Sequence, residues 1–396
     1  MDAKTILKSA AQITPHILAH RRTLHSNAET GTHLPKTTAY VKQQLTKLGY
    51  QPTEICPSGI VAEITGQNTG KCILLRADMD ALPMREQTGL DFQSANGNMH
   101  ACGHDMHTAM LLGAAELLQQ HKEALQGTVK LVFQPDEEGL TGAKQMLAAG
   151  VLEKPAPQTG MALHVISNVP SGMVLCGKGK FMAGCSHFRI HVTGTGCHGA
   201  MPDTGIDPIN IAAHIYLSLQ TLIAREVSPT TPASITIGKF SGGSNSNIIP
   251  QDVILEGTVR SFDREISAML LQRLGEVTQH TAAAFGGKAA WEVFAETPPL
   301  HNNEELMEQM QAFTGTLFGK QSVYTVDKGG MGSEDFAVYT EALPCAYLLL
   351  GAGTPNEDPR YGLPMHNEKI VFNEEILPKG AALYAWCALS WLSRQE

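Results

Sequence analysis

Apolar and polar positions follow two alternating rhythms along the first half of the chain. Residues 4–25 carry an amphipathic helical pattern, and TTAYVKQQLTKLG carries another that stops at Gly49, a residue suited to ending a helix. The run KCILLRADMDALP begins as a buried strand, Cys72 to Ala77, and leaves it through acidic residues into a proline. HDMHTAMLLGAAELLQQHKEAL returns to helical spacing. TVKLVFQPDEEG reads as a second strand emptying into a carboxylate loop, and GMALHV as a third that carries His164 at its end. This repeated β–α–β order predicts an α/β fold with a largely parallel sheet flanked by helices.

Around Gly184 the rhythm changes. SHFRIHVTG has strand character, DPINIAAHIYLSLQTLIARE is helical, and SITIGKF and VILEGTVRSF are two further strands. The helix EISAMLLQRLGEVTQHTAAAF and the strand KAAWEVF complete a β-α-β-β-α-β series, the ferredoxin-like α+β arrangement. The tail resumes α/β character: a helix after GSEDFAVYTEA, the buried strand CAYLLLGAG, a loop bearing His366 and a closing helix near 374–392. The simplest organisation is a small domain, residues 184–294, inserted between two parts of a larger one, 1–183 and 295–396. No internal repeat or low-complexity tract interrupts it.

Composition agrees with that division, since 396 residues suit two or three domains better than one core. Hydrophobic residues at 43% and charged residues at 17% describe a globular chain. A net charge of −9 with no basic run leaves no footprint for nucleic acid. No apolar run approaches the ~20 residues that span a bilayer, and the N-terminus lacks the pattern of a signal peptide. These features predict a soluble, cytoplasmic protein without nucleic-acid or membrane partners. The eight cysteines form no CxxC pair, so a zinc ribbon or redox dithiol is excluded and most are expected to be small buried hydrophobes.

In open α/β sheets ligands bind beyond the carboxyl ends of strands. RADMD (76–80), HACGHD (100–105), QPDEEG (134–139) and LHV (163–165) bring metal-type ligands to that position, and PMHNE (364–368) adds a fifth segment. In an extended stretch His100, Cys102 and His104 share one face, and thiolate and imidazole suit zinc and similar ions. Cys102 and His104 are therefore expected as ligands, whereas His100 and His107 are read as structural and Asp105 as a helix N-terminal or supporting carboxylate. Asp136, Glu137 and Glu138 could be an ordinary solvated acidic run. The apolar strand before them, and the bracketing Pro135 and Gly139, favour a placed site. One glutamate can then bind metal while its neighbour takes a proton from water; spacing alone leaves open which does which.

The segments RADMDALP, MHACGHDMHTAMLLGAA, LVFQPDEEG, ALHV, GCHGAMPD, NIIP, GTVRSF, GSEDFA and PMHNE are distributed along the chain from Arg76 to Glu368. In this order they resemble the aminoacylase and carboxypeptidase family of dinuclear metallopeptidases, metallopeptidase family twenty. The similarity is greatest to the branch of hippurate hydrolases, N-acyl-amino-acid deacylases and auxin-conjugate hydrolases. The resemblance implies a zinc-exopeptidase-like, mainly parallel-sheet metallohydrolase domain with an inserted lid and dimerisation domain. It implies two divalent metal ions (zinc, manganese, cobalt or nickel) on Cys102, His104, Glu138, His164 and His366, with Glu137 as general base. Asp78, where many relatives outside the branch carry a histidine, and Asp80 become supporting or structural carboxylates. His198 corresponds to a histidine that reaches a neighbouring active site and stabilises an oxyanion, which implies a homodimer through the inserted domain. Asn247 and Arg260 match positions linked to the substrate carboxylate, where the planar guanidinium pairs well. Cys197 stands where glycine is frequent, which leaves the local turn open.

The implied reaction is hydrolysis of an N-acyl-L-amino acid, hippurate-like or N-acetylated, to a carboxylic acid and a free amino acid. A dipeptidase or aminopeptidase using the same two-metal site is the nearest alternative. A binding protein without turnover is disfavoured by the intact Glu137 and ligand set. A serine hydrolase is disfavoured because Ser333 in GSEDFA lacks the GxSxG setting.

Overall fold

In the computed structural model, which describes residues 1–68, 70–327 and 329–394, the N-terminal helical pattern is two helices rather than one. Helix α1 (Ala3–Gln12) begins at Asp2, whose carboxylate accepts the Thr5 N–H at 2.8 Å. It ends at Ile13 because Pro15 has no N–H and its ring collides with the preceding turn. The same proline is at home in the first turn of α2 (Thr14–Ser26). The predicted single helix over 4–25 is corrected accordingly.

The chain divides into two units. The first comprises Met1–Gly179, His301–Lys328 and Asp335–Glu396, and the second comprises Lys180–Leu300 with Gly329–Glu334. After α2 the first unit continues with α3 (Pro35–Lys47), β1 (Thr53–Cys56), β2 (Gly59–Thr65) and β3 (Cys72–Asp78). Next come α4 (His104–Gln120), β4 (Thr128–Gln134), α5 (Gly142–Ala148), β5 (Thr159–Ile166) and β6 (Val174–Cys176). The second unit contributes β7 (Gly184–Thr193), α6 (Pro208–Thr221), β8 (Ala233–Gly242), β9 (Asp252–Ser261), α7 (Arg264–Ala284) and β10 (Lys288–Thr297). The chain then re-enters the first unit with α8 (Glu304–Phe318), β11 (Val323–Thr325), α9 (Ala337–Ala342), β12 (Cys345–Gly351) and α10 (Leu377–Leu392).

An eight-stranded sheet in the order β1-β2-β4-β3-β5-β12-β6-β11 forms the first unit. Its middle is parallel, β4 to β3, β3 to β5 and β5 to β12, and antiparallel pairing enters at β1–β2, β2–β4 and β12–β6. Strands β3, β4 and β12 are buried at every residue, the expected consequence of helices on both faces and the reason they read as mainly apolar runs. Helix α4 is the crossover from β3 to β4, buried along nearly its whole length. It packs against α10 so closely that a Cβ on Gly380 would lie 1.9 Å from Met110 Sδ.

The second unit is a four-stranded antiparallel sheet, β8-β9-β7-β10, with α6 and α7 on one face. Its strand order and connectivity are those of a ferredoxin-like α+β unit. Phe188, Ile190 and Val192, spaced by two, meet Ile211, Ile215, Leu270 and Leu274 from the helices in a separate core. Asp207 and Asp263 cap the two helices through their side chains. No helix among the described residues is long and apolar enough to cross a membrane.

Candidate metal centre

The carboxyl ends of β3 and β4 lie side by side, and a single residue beyond β3 ties three candidate groups together. Both carboxylate oxygens of buried Asp80 accept backbone N–H groups, from Glu137 and Glu138, each at 3.1 Å. Its carbonyl oxygen accepts the His104 Nδ1–H at 2.8 Å. The loop after β4 turns tightly enough to put Asp136 and Leu140 at φ of 53° and 57°. That is a conformation non-glycine residues adopt only when their surroundings hold them there.

Cys102 and His104 do not share the face of an extended stretch, which corrects the period-two expectation. Gly103 takes φ 83°, and the chain turns there from Cys102 into α4, with His104 as its first residue. A side chain on Gly103 would strike Val165 Cγ2 at 2.4 Å. His100 joins no ligand cluster among the described residues; it is buried 6.1 Å from the His25 ring.

Six of the expected residues converge. Ligand atoms of Cys102, His104 and His164 lie within 4.8 Å of one another, as do those of Cys102, Glu138 and His366, and those of His104, Glu137 and Glu138. Cys102 Sγ is 3.6 Å from His164 Nε2 and 3.3 Å from His366 Nε2, and His366 Nε2 is 3.2 Å from Glu138 Oε1. Backbone carbonyls decide two tautomers. A carbonyl only accepts, so His104 Nδ1 donates to Asp80, and His164 Nδ1 donates to the Val165 carbonyl at 2.6 Å. In each ring the Nε2 lone pair is left for the cluster. His104 Nε2 is buried without a hydrogen bond, which is costly unless something positive meets it. Thiolate, imidazole and carboxylate donors suit borderline first-row cations, so the residues present fit a metal centre.

The electrostatics carry the same tension. Burial raises the Cys102 thiol, and the Glu138 charge adds to that. Burial would also raise Glu138, but the His366 contact and the His104 charge outweigh it and hold the carboxyl low. His366 is raised to about 10 by its contacts with Cys102 and Glu138. Burial would lower His104, yet the Asp78 charge and the Asp80 contact hold it well above its ordinary value. A proton and a cation therefore compete for the same Nε2. Burial pushes His164 the other way.

A supporting layer stands behind these groups, and sequence reasoning missed the parts of it that Arg76, Gln134 and Asp335 supply. Glu137, only 6% exposed, has Oε1 3.3 Å from the Asp335 N–H. The Asp335 carboxylate accepts from Arg76 Nη2, Gln134 Nε2 and the Ala143 N–H. His107 donates through Nδ1 to Asp78 at 2.6 Å and accepts the Val165 N–H at Nε2, beside His164. Asp105 accepts from Arg21 and His25. The signal available was Arg76 itself, a charge in an otherwise apolar central strand, which must find partners.

The remaining three candidates lie in the second unit. His198 is exposed and pairs with Ile248 in a two-residue ladder, with Cys197 opposite Ile249. Its Nδ1 accepts the Ala200 N–H at 3.1 Å, so a neutral ring carries its proton on Nε2. Asn247 is exposed, and its carbonyl accepts the Gly199 N–H at 2.8 Å. Arg260 is half-buried, with Nη1 donating to the Met331 carbonyl at 3.1 Å and to Ser333 Oγ at 3.3 Å.

Residues 74–390 match the model of Peptidase family M20/M25/M40. The chain is 39% identical over 342 residues to N-acetyl-L-cysteine deacetylase of Bacillus subtilis (strain 168), covering 85% of this chain and 80% of the relative. It is 38% identical over 378 residues to IAA-amino acid hydrolase ILR1-like 4 of Arabidopsis thaliana, covering 94% and 84%. Among solved structures it is similar, at TM-score 0.79 and 30% identity, to a Bacillus subtilis protein described as a dinuclear metal binding peptidase of the M20 family. That match covers 96% of this chain and 99% of the other.

Proposed function

The chain belongs to Peptidase family M20/M25/M40, and from that premise we propose that it is an amidohydrolase cleaving N-acyl-L-amino acids, hippurate-like or N-acetylated. The observation that carries this reading is the convergence of Cys102, His104, Glu138, His164 and His366 with their lone pairs turned inward. The deacetylase and conjugate-hydrolase relatives supply the substrate class.

Those five residues would hold two divalent cations, and such cations would supply Lewis acidity for the scissile carbonyl and the attacking water. Glu137 takes the water proton while Asp335 N–H fixes one of its carboxylate oxygens. The new C–O bond forms at the acyl carbon, and the C–N bond breaks as Glu137 returns the proton to the departing nitrogen. His198, from a second copy of the chain, donates Nε2–H to the developing oxyanion. Asn247 and Arg260 hold the amino-acid carboxylate. Residues 184–294 act as lid and homodimer contact, and the protein works in the cytoplasm. Zinc, manganese, cobalt and nickel all suit the donor set.

The test pairs N-acetyl and N-benzoyl amino acids with dipeptides of the same residues, using metal-reconstituted protein with and without chelator. The acylated substrates are expected to turn over, and chelation is expected to stop them. Preference for the dipeptides would favour the dipeptidase or aminopeptidase alternative, and activity indifferent to chelator would refute the metal-centred reading.

A further inference from the structure

A fourth cluster with metal-ligating composition lies beside the proposed centre. The ligand atoms of Asp78, His104 and His107 fall within 4.8 Å of one another, and all three residues are buried. Asp78 Oδ2 is only 3.8 Å from His104 Nε2, the nitrogen that has no hydrogen bond. Two imidazoles and a carboxylate are by type a competent cation site. We propose that Arg76 is a positioning residue that keeps cations out of this cluster and so confines them to the Cys102 side of His104. The inference rests on the metal-centre reading above.

Every donor atom that a cation would need on the Asp78 side is already committed. Arg76 Nη1 donates to Asp78 Oδ2 at 2.7 Å, the same oxygen that faces His104. Asp78 Oδ1 accepts the His107 Nδ1–H at 2.6 Å. The lone pair on His107 Nε2 accepts the Val165 N–H at 2.8 Å.

The guard cannot easily move or discharge. A guanidinium keeps its proton in proteins, so the repulsion it offers a dication persists at every working pH. Arg76 is locked by two further bonds, Nε to Gln134 Oε1 at 3.0 Å and Nη2 to Asp335 Oδ1 at 2.8 Å, and its guanidinium lies 5.8 Å from the Phe336 ring centre. Asp335 is also the residue whose N–H meets Glu137. One buried cation thus spans two jobs: it neutralises the carboxylate nearest His104 and anchors the support of the base.

The experiment loads wild type, R76K, R76Q, D78N and the double variant R76Q/D78N with cobalt(II), reading cobalt per chain by elemental analysis and coordination by visible absorption. Both readouts are independent of substrate. The expected result is an additional cobalt, or a shifted and weakened visible band as a carboxylate oxygen enters the coordination, in R76Q alone. R76K, which restores the charge, returns both to wild type, and so does R76Q/D78N, which removes the new ligand. An R76Q protein with wild-type cobalt content and bands overturns the proposal, as does a change that persists in R76Q/D78N. Should R76Q fail to fold, D78N decides. Unaltered cobalt binding supports the inference, and loss of a cobalt overturns it by making Asp78 a ligand already. A wild-type chain that takes up no cobalt sinks the metal-centre reading and this inference together, whereas a cobalt-loaded wild type with unresponsive variants sinks this inference alone.

Discussion

His104 and Asp105 are consecutive residues in the first turn of α4, and they join two buried polar clusters built on different principles. Around His104 metal-type ligand atoms accumulate: its own Nε2, the Nε2 atoms of His164 and His366, Cys102 Sγ and Glu138 Oε1. Around Asp105 donors meet acceptors. Its Oδ2 takes Arg21 Nε at 3.1 Å and His25 Nδ1 at 2.9 Å, His25 Nε2 reaches Glu86 at 3.0 Å, and the other Glu86 oxygen takes the Ser94 N–H at 2.8 Å. The first arrangement costs stability until a cation completes it. The second has opposite charges already in place. Adjacent residues therefore serve chemistry and architecture separately, and each side can be broken without the other.

The largest effect is expected on the chemical side. Replacing Glu137→Gln keeps the shape and an oxygen for the Asp335 N–H but removes the proton acceptor. Turnover should fall by about 10²- to 10⁴-fold with metal content and unfolding midpoint unchanged. Steady-state rates beside elemental analysis check this. Near-normal turnover would remove Glu137 from the base role, and loss of cations would move it among the ligands.

The architectural side breaks differently. Asp105→Asn leaves Arg21 and His25 facing a neutral amide, and breaking a buried pair in this way costs about 3–5 kcal/mol. Urea unfolding should report that loss while cobalt or zinc content per folded chain stays at the wild-type value. A variant that kept its stability and shed its metal would erase the division between the two clusters.

How much of this was legible depended on whether a residue's role was local. The buried strands announced themselves as apolar runs because helices cover both faces, and the acidic and histidine segments at their ends marked the site. The β-α-β-β-α-β series after Gly184 could be read because each element carries its own periodicity. Tertiary partnership could not be read. Arg21 and His25 sat inside what looked like one long amphipathic helix, and nothing local predicts that they meet Asp105 some eighty residues on. Gln134 and Asp335 are 201 residues apart yet share two hydrogen bonds. The period-two reading of His100, Cys102 and His104 fails because the chain is not extended there: it turns at Gly103, whose positive φ immediately precedes α4.

The smallest predicted effect is the sharpest test of the contrast, because it asks whether the architectural cluster is truly ionic. Both His25 nitrogens lie against carboxylate oxygens, and a neutral imidazole has only one N–H to offer, so both contacts require the imidazolium. Burial opposes that charge, but Asp105 and Glu86 overcome it and raise the His25 pKa from 6.5 to about 9. A raised folded-state pKa contributes stability that is fully present below the unfolded value of 6.5 and is lost as pH climbs through about 9. The amount at stake is on the order of 3 kcal/mol. The stability gap between wild type and His25→Gln, taken from urea midpoints in metal-loaded protein, should be widest near pH 6 and should narrow steadily up to about pH 10. His104, by contrast, meets a single backbone carbonyl through Nδ1 and leaves Nε2 without a partner, so its proton can give way to a metal without breaking a hydrogen bond. A gap that stayed level across that range would mean that His25 is neutral in the fold, and the two clusters would no longer differ in kind.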